Sequence, residues 1–341
     1  MKLKNFLKKY KKNNYLYFIA EACDNHFGNI QNAIKMIELS KKAGADAIKF
    51  QHHLVNEEML SKVPRSSNFN ISLYNFLKKN SLSIQDHIKL SQICNKVGIQ
   101  YLCTPFSLKA AIDLKENINM DAYKIGSGEM ADTPFLEEIL KFKKPLIVST
   151  GMSTVKEIEE TFKILNTCKN LVIMNCLSEY PPDYNDLNLG FIQVLKKKYP
   201  QSIIGHSDHT AEIFSSLAAY ALGARVIEKH VTLDKNLRGP DQKVSIDFKE
   251  LNELIKGLRL MENSFGNKKI LHKKEVQIRK WARRSIVSIK PIKKNEKFTK
   301  ENIWSKRPGT GIPSKFFYKI INKKSKTNIK VNSLIKYSDI I

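Results

Sequence analysis

The residues with the greatest chemical potential lie between Gly205 and Asp241. This stretch reads G-H-S-D-H-T, then a small-residue run, then A-R-V-I-E-K-H-V and R-G-P-D. Two short apolar runs, 202–205 and 225–227, each end in ionisable groups: His206, Asp208 and His209, then Glu228, Lys229 and His230. An apolar strand that stops in such residues delivers reactive groups to one end of a sheet. His209 and His230 would come from adjacent strand ends, so both imidazoles could reach one divalent ion. There is no H-E-x-x-H spacing. Two nitrogens completed by water and substrate oxygens suit Mn²⁺, Fe²⁺, Co²⁺ or Zn²⁺ about equally. A hydrogen-bonded, metal-free histidine is the plain alternative for each taken singly. Asp208 and Glu228 could orient the imidazoles or act as general bases. His52, His53, His87 and His272 read as solvated residues of loops and helix faces.

The elements that must position these groups follow from periodicity. Strands are expected at 16–20, 47–50, 100–103, 122–125, 146–148, 171–176, 203–205 and 226–228. Helices are expected after them at 30–42, 84–97, 108–115, 134–140, 155–165, 189–198, 213–222 and 248–261. The segment 51–81 reads as a loop with a short helix near 73–77. Eight strand–helix units over about 260 residues have the count and size of a TIM (β/α)₈ barrel. A doubly wound open sheet is the alternative, but it would want a glycine-rich phosphate loop after the first strand, and the chain has none there.

Barrel chemistry sits at the C-terminal strand ends, and polar residues cluster at those positions. They are Glu21, Asn25 and His26; Lys49 and Gln51; Thr104 and Ser107; Lys124, Ser127 and Glu129; Ser149 and Thr150; Ser178 and Tyr180; then Ser207 with the residues named above. A purely structural barrel has no need of ionisable groups at nearly every strand end. Lys49 and Lys124 directly follow apolar runs, so their charges should enter a shared pocket. With hydroxyls at Thr104, Ser127, Ser149, Ser178 and Ser207 they form a cradle for phosphate and carboxylate oxygens. A Schiff-base lysine is the rival, and two lysines among many hydroxyls favour anion binding.

The totals bound these readings. A chain of 341 residues makes one large domain plus a small one, or two medium domains, and 42% hydrophobic content suffices for a sizeable core. No apolar run approaches the ~20 residues of a membrane span. The basic start (Lys2, Lys4, Lys8, Lys9, Lys11, Lys12) precedes an apolar segment at 15–20, shorter than the ~7–15 residues of a signal core. It reads as a first strand behind a polar arm, and the protein as cytoplasmic. Five cysteines without C-x-x-C spacing read as reduced, mostly buried thiols, with a nucleophile at Cys103 or Cys176 the sharper but disfavoured alternative. The net charge of +25 permits nucleic-acid binding, yet the lysines are spread along helix faces. They therefore read as a solvated surface, with no nucleic-acid or membrane partner. Beyond residue 265 the texture changes: 266–281 reads as a linker, its polar stretch 267–280 as a linker helix, and 282–341 as a small domain of short β-like runs (285–289, 334–337) with an R-P-G-T-G-I-P loop.

These residues together resemble the sialic acid synthase family. The matching segments are I-A-E-A-C-D-N-H-F-G (19–28), A-G-A-D-A-I-K-F-Q (43–51), Y-L-C-T-P-F-S (101–107), Y-K-I-G-S-G-E (123–129) and P-L-I-V-S-T-G-M (145–152). They continue in family order with C-L-S-E-Y-P-P (176–182), S-D-H-T (207–210), V-I-E-K-H (226–230), G-P-D (239–241) and K-R-P-G-T-G (306–311). The resemblance implies a TIM barrel over 1–265 and an antifreeze-like (SAF) domain over 282–341. It implies condensation of phosphoenolpyruvate with an N-acetylated aminosugar, N-acetylmannosamine first and a 2,4-diacetamido hexose second. His209 and His230 would ligate a divalent metal, Mn²⁺ before Mg²⁺ or Co²⁺, and His206 would not. Lys49, Thr104, Lys124, Ser127, Ser149, Ser178 and Ser207 would hold phosphoenolpyruvate; Glu129 falls in the same Y-K-I-G-S-G-E motif and counts with the substrate-binding set. Glu21, Gln51, Tyr180 and Asp241 would face the open-chain sugar, and Glu228 would lie near the metal and the reacting carbons. Arg307 would contact the N-acetyl group across a homodimer that exchanges its small domains.

The chain departs from the family pattern at Cys23 and Asp24, where small apolar residues are usual, and at Leu177, His52, His53 and Gln242. These positions surround the sugar more than the phosphoenolpyruvate, so they bear on which sugar is used. G-P-D and R-P-G-T-G look more like neuraminate and legionaminate synthases than pseudaminate synthases.

Overall fold

The structure is a computed structural model that describes residues 3–9, 15–64, 71–237 and 239–341. Lys2, Lys11 and Lys12 of the basic start, and the arginine of R-G-P-D at position 238, lie outside the described residues. Two compact units divide the chain, Met1–Phe265 and Gly266–Ile341.

In the first unit the strands are β1 Tyr17–Glu21, β2 Ala47–His52, β3 Gln100–Pro105, β4 Tyr123–Ile125, β5 Leu146–Ser149, β6 Leu171–Cys176, β7 Ile203–Asp208 and β8 Val226–His230. The helices are α1 Leu3–Lys9, α2 Ile30–Ala43, α3 Val55–Glu58, α4 Leu73–Asn80, α5 Ile84–Val97, α6 Leu108–Asn117, α7 Thr133–Leu140, α8 Val155–Ile164, α9 Phe191–Lys198, α10 Phe214–Leu222 and α11 Phe248–Ser264. All the strand ladders are parallel, in the order β3-β2-β1-β8-β7-β6-β5-β4, and the two end strands lie side by side. This is an eight-stranded barrel with helices outside, as the periodicity predicts. Helix starts carry local signals: capping boxes at Ser83/Asp86, Thr154/Glu157 and Asp247/Glu250 open α5, α8 and α11.

Most strands run further than the apolar runs suggested. β7 continues through His206 and Asp208, and β8 through Glu228 and His230. The period of two then decides which groups reach the lumen. Val226 joins the lumen cluster with Tyr17, Ile19, Ala47, Leu102 and Ile203, whereas Ile227 joins the outer cluster beneath the helices. Glu228 and His230 share the phase of Val226, and Lys229 that of Ile227. Register places Glu21 level with Lys49 on one side and His230 on the other.

The same alternation corrects the reading of Asp208 as a partner of the metal-site imidazoles. Its carboxylate is fully buried, accepts hydrogen bonds from Ser215 and Ser216 of α10 and from Thr210, and pairs with Lys229 at 3.2 Å. Burial opposes its charge, but Lys229, His206 and the hydroxyls outweigh it and hold Asp208 below the usual carboxylate range. Removing one member of a buried pair strands the other, which costs about 3–5 kcal/mol, while replacing both by apolar groups is often neutral. Lys229→Met is therefore expected to lower unfolding stability by about 3 kcal/mol in urea titration. Adding Asp208→Leu should recover most of that loss, and a double variant no better than the single would contradict this account.

Two further expectations change. The start of the chain is not only a polar arm: in α1, Leu3 and Phe6 are buried in the lumen cluster, and the Leu3 N–H donates to Gln100 Oε1 at 2.6 Å. Their i, i+3 spacing makes an apolar face that closes the lower end of the barrel. The segment 51–81 holds two helices, α3 and α4, with 65–70 outside the described residues.

In the second unit, α12 Lys273–Ala282 occupies much of the stretch read as a linker. Antiparallel strands β9 Ser285–Ser288 and β10 Ile303–Lys306, with α13 Phe317–Ile320, surround Ile286, Ile292, Phe298, Ile303, Ile312 and Ile335. The expected strand at 334–337 is reduced to one bridge, Leu334 opposite Val287. Among the described residues, no helix is long and apolar enough to cross a membrane.

Candidate active site

The upper lumen of the barrel opens into a cavity of about 440 Å³, within the range of small-molecule sites. Its floor is a buried charge cluster. Lys49 Nζ lies 2.6 Å from Glu21 Oε2, donates to Thr104 Oγ1 at 3.0 Å, and is 3.8 Å from Glu228 Oε1. Lys124 Nζ donates to Ser149 Oγ at 2.6 Å and is 3.7 Å from the same Glu228 oxygen, to which Ser207 Oγ donates at 3.0 Å. Burial raises Glu21 to about 7, against the pull of Lys49 and with the push of Glu228. Burial would raise Glu228 too, but Lys124, Lys49 and Ser207 outweigh it and keep the group ionised. Burial lowers Lys124 below the usual lysine range despite Glu228, whereas the paired carboxylates raise Lys49 in spite of burial.

Hydroxyl donors stand above this floor. Ser127 Oγ accepts from the Gly151 N–H at 3.1 Å. A Cβ on Gly151 would fall 2.2 Å from Ser178 Oγ and 2.7 Å from Ser127 Oγ, so the glycine lets both serines approach the backbone. Thr104, Ser127, Ser149, Ser178 and Ser207 all line the one cavity with both lysines.

Candidate ion donors gather at the rim beside β1 and β8. His209 Nδ1 is 2.7 Å from the Leu177 carbonyl oxygen, which fixes the proton on Nδ1 and leaves the Nε2 lone pair free to accept from Tyr180 OH at 3.1 Å. The His209 and His230 rings are 5.2 Å apart, and Tyr180 stacks on His209 at 4.3 Å. His230 is buried and its Nδ1 has no hydrogen-bond partner. Ligand atoms of Cys23, His230 and Asp241 all lie within 4.8 Å of one another. An orphaned imidazole nitrogen beside a second imidazole, a thiol and a carboxylate fits a divalent first-row ion.

Glu21, Cys23, Gln51, His53 and Glu58 form a linked row. Gln51 Nε2 donates to Glu21 Oε1 at 3.2 Å and to Cys23 Sγ at 3.0 Å, while Gln51 Oε1 is 2.9 Å from His53 Nε2. His53 Nδ1 is 3.0 Å from Glu58, and the ring stacks on Phe106 at 4.3 Å. His53 is thus a buried wall residue rather than a solvated one. Burial would lower its pKa, but Glu58 and Asp24 raise it. His52 and His87 are also buried, packed against each other at 4.8 Å on the outer face of the barrel, with His87 Nδ1 bonded to Tyr101 OH. Only His272 of the four is exposed.

The cavity unites Glu21, Lys49, Gln51, Thr104, Lys124, Ser127, Ser149, Ser178, Tyr180, Ser207, His209, Glu228, His230 and Asp241. Glu129 does not line it; that carboxylate turns toward Gly126, and burial raises its pKa to about 7. Arg307 lies in the second unit, where its Nε donates to the Ala282 carbonyl and its guanidinium stands 5.5 Å over the Trp281 ring. Sequence reasoning did not find Glu58, Phe106 or Met152 on the wall. Cys176 also lines it. Burial works to raise that thiol, but His209 and Lys124 lower it, while Cys103 faces the outer layer and is pushed up to about 12.

The NeuB family model matches residues 36–270, and the SAF domain model matches 283–341. The chain belongs to the NeuB family. It is 37% identical to the N,N'-diacetyllegionaminic acid synthase of Campylobacter jejuni over 93% of this chain and 98% of that one. It is 36% identical to a pseudaminic acid synthase of the same species, over 95% and 96% of the two chains. Among solved structures, the N-acetylneuraminic acid (sialic acid) synthetase of Leptospira borgpetersenii, in complex with citrate, superposes with a TM-score of 0.71 at 32% identity, covering 77% of this chain and 90% of that one. This NeuB-family synthase thus has a TIM barrel and a SAF domain, as the resemblance implied. The two Campylobacter relatives are matched almost equally, so overall similarity does not repeat the preference drawn from G-P-D and R-P-G-T-G.

Proposed function

We propose that this enzyme joins phosphoenolpyruvate to an open-chain N-acetylated hexose, N-acetylmannosamine, giving N-acetylneuraminate and phosphate. The observation that carries the reading is the buried Lys49–Lys124 floor, ringed by five hydroxyls and facing two imidazoles across one cavity. Lys124, Lys49 and the hydroxyls bind the phosphate and carboxylate oxygens and hold the enol carbon toward the sugar. His209 and His230 would hold a divalent metal, Mn²⁺ in this proposal, and when bound it would supply Lewis-acid polarisation of the aldehyde. The C3 carbon of phosphoenolpyruvate forms the new bond to C1 of the sugar, and water adds at C2. The aldehyde oxygen takes its proton from neutral Glu21, the free oxygen of ionised Glu228 receives one proton of the water, and the other goes with the departing phosphate as the C2 ketone forms. The two lysines and two carboxylates of the floor cancel in charge, so proton uptake on Glu21 and the cation site offset only part of the charge of an entering trianion.

The test is incubation with phosphoenolpyruvate, N-acetylmannosamine and Mn²⁺, with phosphate and nonulosonate both measured. No product from any N-acetylated hexose overturns the reading. A legionaminate synthase acting on a 2,4-diacetamido hexose is the second reading, favoured by the 37% identical relative; the ratio of kcat/KM for the two sugars decides. In this proposal the enzyme is a cytoplasmic, domain-exchanged homodimer, with Arg307 reaching the sugar's N-acetyl group in a second copy's barrel. Arg307→Ala is then expected to raise the sugar KM about 10–100-fold, as for a lost charged hydrogen bond, with little change for phosphoenolpyruvate. Equal effects on the two KM values would remove Arg307 from the sugar site.

A further inference from the structure

We propose that Cys23 is a thiolate ligand of the metal, so that this synthase holds its ion through Cys23, His230 and Asp241 as well as the His209 of the proposed site. The inference rests on the reading of the cavity as a metal-dependent site and adds a ligand class to it. Cys23 follows β1 at its C-terminal end, and its sulfur is buried over the cavity. The thiol donates to Asp241 Oδ2 at 3.0 Å and accepts from Gln51 Nε2 at 3.0 Å. A second, independent feature points to the same place: His230 is 4% exposed and has a ring nitrogen without any partner. One donor atom from each of Cys23, His230 and Asp241 lies within 4.8 Å of the others, and among the described residues this is the group of three or more such side chains able to share an ion. Ligands on one first-row ion at bond lengths of about 2.0–2.3 Å stand up to ~4 Å apart, so small side-chain shifts close the set. The ion would take the place of the proton that now joins Sγ to Asp241. Gln51, donating to the sulfur, stabilises the thiolate and fixes its direction.

A thiolate changes which metals the site prefers. Sulfur favours Zn²⁺, Co²⁺ and Fe²⁺ over Mg²⁺ and Mn²⁺, which an all-oxygen and nitrogen site serves better. The metal-stripped full chain should therefore be titrated with Co²⁺ alone, without oxygen, and followed in the visible and near ultraviolet. One equivalent of Co²⁺ is expected to bring up a sulfur-to-cobalt charge-transfer band along with the visible ligand-field bands. Cys23→Ser and Cys23→Gly should both abolish the charge-transfer band and weaken Co²⁺ at least about tenfold, with Mg²⁺ affinity changed much less. The glycine variant guards against misfolding, because Cys23 has a φ of 46°, a conformation glycine adopts freely. Cys176→Ala, which removes the thiol 4.0 Å from His209, should keep the band. Co²⁺ bound without the band, or a band that survives in both Cys23 variants or vanishes in Cys176→Ala, overturns the proposal. Condensation of phosphoenolpyruvate with sugar but no such band sinks the thiolate alone. A band without any condensation product sinks the reaction while leaving the ligand assignment standing.

Discussion

His209→Ala is expected to lower kcat for the condensation by about 10²–10³ and to weaken Mn²⁺ binding, while phosphoenolpyruvate affinity changes little. Lewis-acid activation contributes several kcal/mol to a barrier, and each 1.36 kcal/mol is a factor of ten. The imidazole is oriented for ligation, since its Nδ1 hydrogen is fixed by the Leu177 carbonyl at 2.7 Å and Tyr180 stacks on the ring. Tyr180→Phe separates orientation from ligation, because it keeps the stacked ring and removes only the hydroxyl 3.1 Å from Nε2. It should cost far less than the alanine variant. Calorimetric Mn²⁺ titration alongside steady-state kinetics checks both, and full activity in His209→Ala would refute the ligand assignment.

The barrel was legible because eight alternations of apolar run and amphipathic helix admit few architectures. What escaped was the direction of individual side chains. His209 and Asp208 are neighbours in sequence, yet Asp208 turns outward to Lys229, Ser215 and Ser216 under α10. Reading charged residues as strand ends hid this, because a paired charge is tolerated inside a strand when its partner sits on the next strand or helix. The burial of His53 escaped for a related reason: Glu58, which raises its pKa, lies on a short helix inside a segment read as loop. Cys23 stood out only as a departure from the family pattern. Its partner Asp241 is 218 residues away along the chain, a distance that only the closing of β1 against β8 removes.

The two lysines looked alike in sequence, and their surroundings now distinguish them. Lys49 is closed on Glu21 at 2.6 Å and bonded to Thr104, so its charge is largely matched before any ligand arrives. Lys124 has a serine at 2.6 Å, and its carboxylate partner is no nearer than 3.7 Å. Burial lowers its pKa, so an arriving phosphate gains both the attraction and the relief of that desolvation. Lys124→Met is accordingly expected to raise the phosphoenolpyruvate KM and lower kcat, with about 10²–10³ lost in kcat, the scale for one preorganised donor facing developing charge. Lys49→Met strands buried Glu21 and should show more of its cost in stability, about 3–5 kcal/mol in urea unfolding. Measuring both variants by kinetics and by unfolding tests the division of labour. If Lys124→Met keeps near-normal kcat and KM for phosphoenolpyruvate, the anion cradle must be centred elsewhere on the floor, because no lysine other than Lys49 lines this cavity among the described residues.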